Sequence, residues 1–166
     1  MQDEDGNTSL ILAVKADNVE IVDLLLRSNC DPNIKNNQDG PALMIAISQC
    51  STAIVTTLLE SKKTDVNIRG YHGHSPLHGA ASNNGIGTTS TVELLIRYHA
   101  IIDAVNDAGR TPLMQAASFG NAETLSLLIA NHANVSLRDK KGMTALDLAK
   151  RNQKISCVEI LEQLCQ

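Results

Sequence analysis

The chain has 166 residues, 43% of them hydrophobic but only 2% aromatic, with no tryptophan and a formal net charge of −4. Such a charge gives nucleic acid or an anionic membrane no general electrostatic reason to bind, and no apolar run approaches the roughly 20 residues that span a bilayer. An interior of Leu, Ile, Val and Ala without large rings suits thin stacked layers better than one wide core.

The opening stretch MQDEDGN is acidic and lacks the character of a signal peptide. Cys30, Cys50, Cys157 and Cys165 show no CxxC pairing, so they read as reduced thiols of a cytoplasmic or nuclear protein. Asn7-Thr8-Ser9 and Asn134-Val135-Ser136 fit the glycosylation pattern, which has meaning only in a secreted chain.

The first unit begins near Asp3 and contains the continuous apolar run Leu10-Ile11-Leu12-Ala13-Val14. An outermost layer should turn a polar side to solvent. The run therefore predicts a longer parent protein with an earlier repeat or covering segment; the alternative is that Ile11 and Leu12 both pack inward. In the second unit, Asp39-Gly40-Pro41-Ala42 departs from the helix-start pattern of the later units, and one extra residue lies between Glu60 and Asp65. Ordinary helices with distorted turns are expected there.

The third unit opens its helix with Ser75-Pro76-Leu77-His78-Gly79-Ala80 and carries an insertion, Asn84-Gly85-Ile86-Gly87-Thr88-Thr89-Ser90. The insertion lengthens the link between two helices by three residues. Its GxG has no preceding strand and no following Lys, so a phosphate loop does not fit; a tolerated surface insertion, open to a secondary contact, does.

The fourth unit is the most complete. Thr111 is an N-cap and Pro112 takes the first helical position, where its missing N–H is no loss. Leu113, Ala116 and Ala117 form an apolar side that Gly120 ends. A second helix runs from about Ala122 through Leu125, Leu127, Leu128 and Ile129 to Asn131-His132. Helices of two to three turns are unstable alone in water, so the unit must be stacked on others. The fifth unit reads as a terminal cap: Lys150 stands where earlier units have Ala81 and Ala117, and Glu162, Gln163 and Gln166 make the last helix polar outside.

Five leucines mark the period: Leu10, Leu43, Leu77, Leu113 and Leu146, spaced 33, 34, 36 and 33 residues apart. Each follows a turn glycine (Gly6, Gly40, Gly73, Gly109, Gly142) and precedes an alanine (Ala13, Ala46, Ala80, Ala116, Ala149). With the Ser75-Pro76-Leu77-His78 and Thr111-Pro112-Leu113 starts and the Asp65-Val66-Asn67 ending, this pattern resembles the ankyrin repeat.

The resemblance implies an all-α solenoid of five helix–turn–helix units with hairpin turns. It implies one domain over 1–166, with repeats at about 3–35, 36–69, 70–105, 106–138 and 139–166, cut from a larger protein. It also implies a non-catalytic interaction module, expected to be monomeric, that binds a partner protein or peptide in the concave groove of hairpins and first helices. Mapped onto that surface, the third unit contributes Tyr71, His72, His74, Ser82 and Asn83, and the fourth Arg110, Ser118 and Phe119. The fifth contributes Arg138, Lys140, Lys141 and Arg151.

Two of the three aromatics, Tyr71 and Phe119, fall on this surface and are candidate anchors. The charge gradient from Glu4 and Asp5 to the C-terminal cations fits a ligand with an apolar centre and an acidic end. The rival function is a transcription or chromatin component that contacts nucleic acid or an acidic partner through the basic C-terminal repeats. His72, His74 and His78 have metal-ligand spacing, but His78 lies in a helix start where the family's histidine is structural. No GxSxG, HExxH or Walker pattern occurs, so no enzyme, metal or cofactor is expected. Asn33 and Asn67, each eight residues after a leucine, resemble sites of asparaginyl hydroxylation, with a turn role as the alternative.

Overall fold

The computed structural model describes residues 1–85 and 87–164; Ile86, Cys165 and Gln166 lie outside the described residues. Among the described residues ten α-helices form five pairs: Ser9–Lys15 (α1) with Val19–Arg27 (α2), Ala42–Ser48 (α3) with Thr52–Glu60 (α4), and Pro76–Ser82 (α5) with Thr88–Arg97 (α6). Pro112–Phe119 (α7) then pairs with Ala122–Ala130 (α8), and Ala145–Arg151 (α9) with Ile155–Gln163 (α10). The odd-numbered helices stack on one another in sequence as an inner row, and the even-numbered ones as an outer row. Among the described residues there is no strand, only isolated bridges at Gln2–Thr8 and Lys35–Pro41.

Local chemistry sets these boundaries. Thr8, Ser75, Thr111 and Thr144 each accept a hydrogen bond from an N–H in the first turn of the helix that follows. Ser75 with His78 and Thr144 with Asp147 close full capping boxes. Pro41 occupies the equivalent place before α3 without a side-chain cap, the physical form of the departure expected there. The outer helices α2, α6 and α8 end in Schellman turns: Ala133 N–H donates to the Leu128 carbonyl and His132 N–H to that of Ile129, and Asn29 and His99 hold the matching positions.

The core runs continuously through both rows. Leu10, Leu43, Leu77 and Leu113 and all five period alanines are buried. Leu146 is only half-buried, since no described helix covers its outer side, and Leu148 takes the fully buried place instead. In the first layer Ile11 packs inward but Leu12 is 47% exposed, so the alternative in which both turn in does not hold. Ile21 and Leu24 on α2 are exposed as well. The insertion also differs from its expected form. Thr88, Thr89 and Ser90 belong to α6, so the link shortens to 83–87 and α6 gains the remaining residue. At the far end Lys150 Nζ pairs with Glu162 Oε1 at 2.7 Å, tying α9 to α10.

Candidate functional site

The turn before each inner helix projects as a finger, and in four of the five a single acceptor organises it. Asp3, Asn36, Asn106 and Asp139 each receive backbone N–H donors from residues two and four positions on. The third finger has Gly70 at this position and forms a 3-10 turn over Tyr71–Gly73, with His72 at φ 54°. Arg69 supports it from the side, donating to the Val105 carbonyl at 2.9 Å and pairing with Asp107 at 3.3 Å. Backbone bonds of 3.0 Å stitch finger to finger: Asn37 N–H to Asp5 O, Asp107 N–H to His72 O, and Lys140 N–H to Ala108 O. A row held in this way presents its side chains on a rigid frame.

Tyr71 stands on the third finger, 65% exposed, its ring centroid 3.8 Å from that of exposed His72. Phe119, at the end of α7, is 48% exposed. Tyr98, the remaining aromatic, is half-buried against the core. His74 is also half-buried; its Nε2 takes a hydrogen bond from Asn106 Nδ2 at 3.0 Å, and burial lowers its pKa. His78 is wholly buried. Its Nδ1 faces Ser75 Oγ and its Nε2 faces the Arg110 carbonyl, both at 2.8 Å, and burial pushes its pKa down to about 4. With both ring nitrogens engaged, His78 offers nothing to a metal beside His72 and His74.

Three of the mapped residues are committed internally. Ser82 Oγ donates to the His78 carbonyl, and Asn83 Nδ2 reaches the Ile47 carbonyl and Cys50 Sγ across the repeat boundary. Ser118 accepts from Asn152 Nδ2 through both its carbonyl and its hydroxyl. The Asn83 and Ser118 contacts belong to a ladder that sequence reading missed: Gln49 to Lys15, Asn83 to Ile47, Asn121 to Ala81, Asn152 to Ser118. Each amide caps a carbonyl at the end of the preceding inner helix. The positions looked like ordinary surface polar residues; only their recurrence after each first helix could have revealed them.

The cations divide in the same way. Arg110 Nε pairs with buried Asp139 Oδ2 at 3.3 Å. Arg138 donates to the Gly142 carbonyl and Arg151 reaches Met143 Sδ. Among the described residues Arg138, Lys140, Lys141, Arg151 and Lys154 form no ion pair, although Asp147 lies close enough to Arg138 for the cation to help lower its pKa.

A further hollow lies apart from these side chains. A cleft of about 530 Å³ opens between α3 and α5, lined by Met44, Ile47, Ser48, Pro76, Gly79, Ser82, Asn83 and Asn84. A second hollow of about 310 Å³, toward the second finger and Lys15, shares Met44 and Ser48 with it, so the two are parts of one groove. Met44, Ile47 and Gly79 were missed in the sequence; the available signal was a glycine in the middle of a helix. A third, more polar hollow of about 300 Å³ lies by the long link, where Asn121 Oδ1 is buried without a partner.

Asn33 and Asn67 bridge repeats on the opposite loops. Asn33 accepts from Asp65 N–H and donates to the Lys63 carbonyl; Asn67 accepts from Ile101 N–H and donates to that of His99. Burial raises the pKa of the Cys30 and Cys157 thiols, which lowers their thiolate fraction.

Comparison with known proteins agrees with this architecture. The family model described as ankyrin repeats (3 copies) matches residues 1–70 and 77–165. Neurogenic locus notch homolog protein 1 of Xenopus laevis is 31% identical over 147 residues, covering 89% of this chain, and the mouse protein of the same name is 32% identical over 146, covering 88%. The chain spans 6% of the length of each. The human transient receptor potential cation channel subfamily A member 1 is 25% identical over 166 residues, 95% of this chain and 15% of the channel.

Proposed function

The chain belongs to the ankyrin-repeat family, whose repeats are generally protein-protein interaction modules, and from that premise we propose that it holds a partner protein or peptide along the groove of fingers and inner helices. The observation that carries this reading is the pair of exposed aromatics, Tyr71 and Phe119, on adjacent repeats. Aromatic side chains left out of a core of small aliphatics are anchors in waiting. Catalysis plays no part in this reading, and reduced thiols suit work in the cytoplasm or nucleus.

The test is capture from cell extract by immobilised wild type, by a Tyr71→Ala/Phe119→Ala variant and by an outer-row control, Arg97→Ala. Loss of a partner from the double variant alone supports the groove. Loss from the control alone, or from neither, overturns it.

The exposed cations Lys140, Lys141 and Arg151, without ion pairs among the described residues, support a second reading, in which nucleic acid or an acidic partner binds there. Nucleic acid predicts log-linear loss of affinity with salt, steeper with each phosphate contacted. A short acidic peptide predicts a shallow slope and retained sequence preference.

A further inference from the structure

Resting on the groove reading, we infer that the cleft over Gly79 is a side-chain socket, taking one aliphatic or methionine side chain of an extended partner segment whose acidic residues lie toward the last repeat. Gly79 interrupts the inner row: the same position is Leu12, Ile45, Gln115 and Leu148 in the other units. A Cβ placed there would meet only Ile47 Cγ2, at 3.7 Å, so the space is open rather than reserved for backbone. Met44, Ile47 and Pro76 give it apolar walls, and Met adapts its shape to what enters.

The polar groups at its edge do not ask for a ligand. Ser48 Oγ donates to the Ile45 carbonyl, Ser82 Oγ to that of His78, and Asn83 Nδ2 to that of Ile47. A side chain with polar atoms would enter unmatched; an aliphatic one would not.

Charge sets the direction of the partner. Lys140, Lys141 and Arg151 project from the last finger and inner helix with no carboxylate partner among the described residues. Inner helices packed about 8–10 Å apart put the last one roughly 20–25 Å from the cleft. An extended chain covers that in roughly six to eight residues. The partner therefore carries its acidic group about that far from the anchoring side chain, which orients it along the groove.

The experiment uses fluorescent peptides about sixteen residues long, long enough to span the groove. They have a Gly/Ser/Gln background, one central Leu, Met or Ala, and three glutamates placed at either end. Fluorescence anisotropy reads binding to wild type, Gly79→Ala, Gly79→Leu and Ser48→Leu. Gly79→Ala leaves most of the cleft open and, as a better helix former, should raise the melting temperature by roughly 3 °C. Gly79→Leu fills the cleft from its floor. Ser48→Leu fills it from an exposed rim, where folding is not at risk.

Central Leu or Met should bind at least about tenfold tighter than central Ala, and both filling variants should abolish that difference. Binding that ignores the central residue and the filling variants overturns the socket while leaving the groove itself standing. No binding by any peptide up to about 1 mM overturns the socket as well.

Discussion

The Nε2 of His78 lies 2.8 Å from the carbonyl oxygen of Arg110, so the third and fourth repeats are joined through one buried ring. A carbonyl only accepts, which places the proton on Nε2 and leaves Nδ1 to receive the Ser75 N–H at 3.2 Å. Protonating Nδ1 would set donor against donor. Burial is the main reason that the ring stays neutral, with its pKa lowered to about 4 against an ordinary value of 6.5. The unfolded chain takes up this proton first, so stability is full above about pH 6.5 and falls as pH drops toward 4. His74, also lowered, acts in the same direction. The full effect of His78 is about 3 kcal/mol. Urea midpoints from pH 7.5 to 4 should show the decline in wild type; His78→Gln should be weaker at pH 7 and flatter across the window. An equal slope in the variant would refute the assignment.

Asp139 holds the fifth finger through two backbone N–H donors and holds the fourth repeat through Arg110. Asn36 and Asn106 do the finger's work in the second and fourth repeats with an amide oxygen. Asp139→Asn should therefore lose only the ion pair, about 1 kcal/mol, while Asp139→Ala strands both N–H groups and Arg110 and costs about 3 kcal/mol. Chemical denaturation separates the two. Equal losses would mean that charge, not the turn acceptor, is what matters.

The period, the helix starts and the stops were legible because each rests on neighbours in sequence: Thr111 before Pro112, His78 three residues after Ser75, Gly120 after Phe119. What could not be read lies between repeats. The amide of Asn83 finds the Ile47 carbonyl 36 residues away, and nothing near Asn83 announces that acceptor. The Gly79 cleft was hidden for a different reason. It is defined by a missing side chain, and a glycine carries no ring or charge that marks a binding surface. Thr88 to Ser90 misread as link because hydroxyl residues favour turns and helix starts alike.

His99 and His132 sit in the left-handed region, at φ 66° and 67°, as the turn residues that end α6 and α8. A β-carbon is strained there and glycine is not. Both histidines are exposed, so replacement removes little packing. His99→Gly and His132→Gly should each stabilise by about 0.5–1 kcal/mol, partly offset by the greater freedom of an unfolded glycine. At this chain length that raises the melting temperature by roughly 1–4 °C each, seen by circular dichroism, and nearly additively. A drop on either substitution would show that its ring makes a contact worth more than the strain.

Binding and folding should separate among the mapped residues. Tyr71 is 65% exposed and Lys140 and Lys141 are exposed without ion pairs among the described residues, so alanine at any of them should change stability by less than about 0.5 kcal/mol. Asn83 differs, since its amide ties α5 to the Ile47 carbonyl and lies against Cys50 Sγ. Asn83→Ala removes that tie between repeats while the carbonyl keeps the Cys50 N–H, and should cost about 1 kcal/mol. Guanidinium unfolding of the four single variants provides the comparison. If Tyr71→Ala proves as damaging as Asn83→Ala, the Tyr71 ring is part of the frame, and a loss of partner capture on its removal says nothing about the groove.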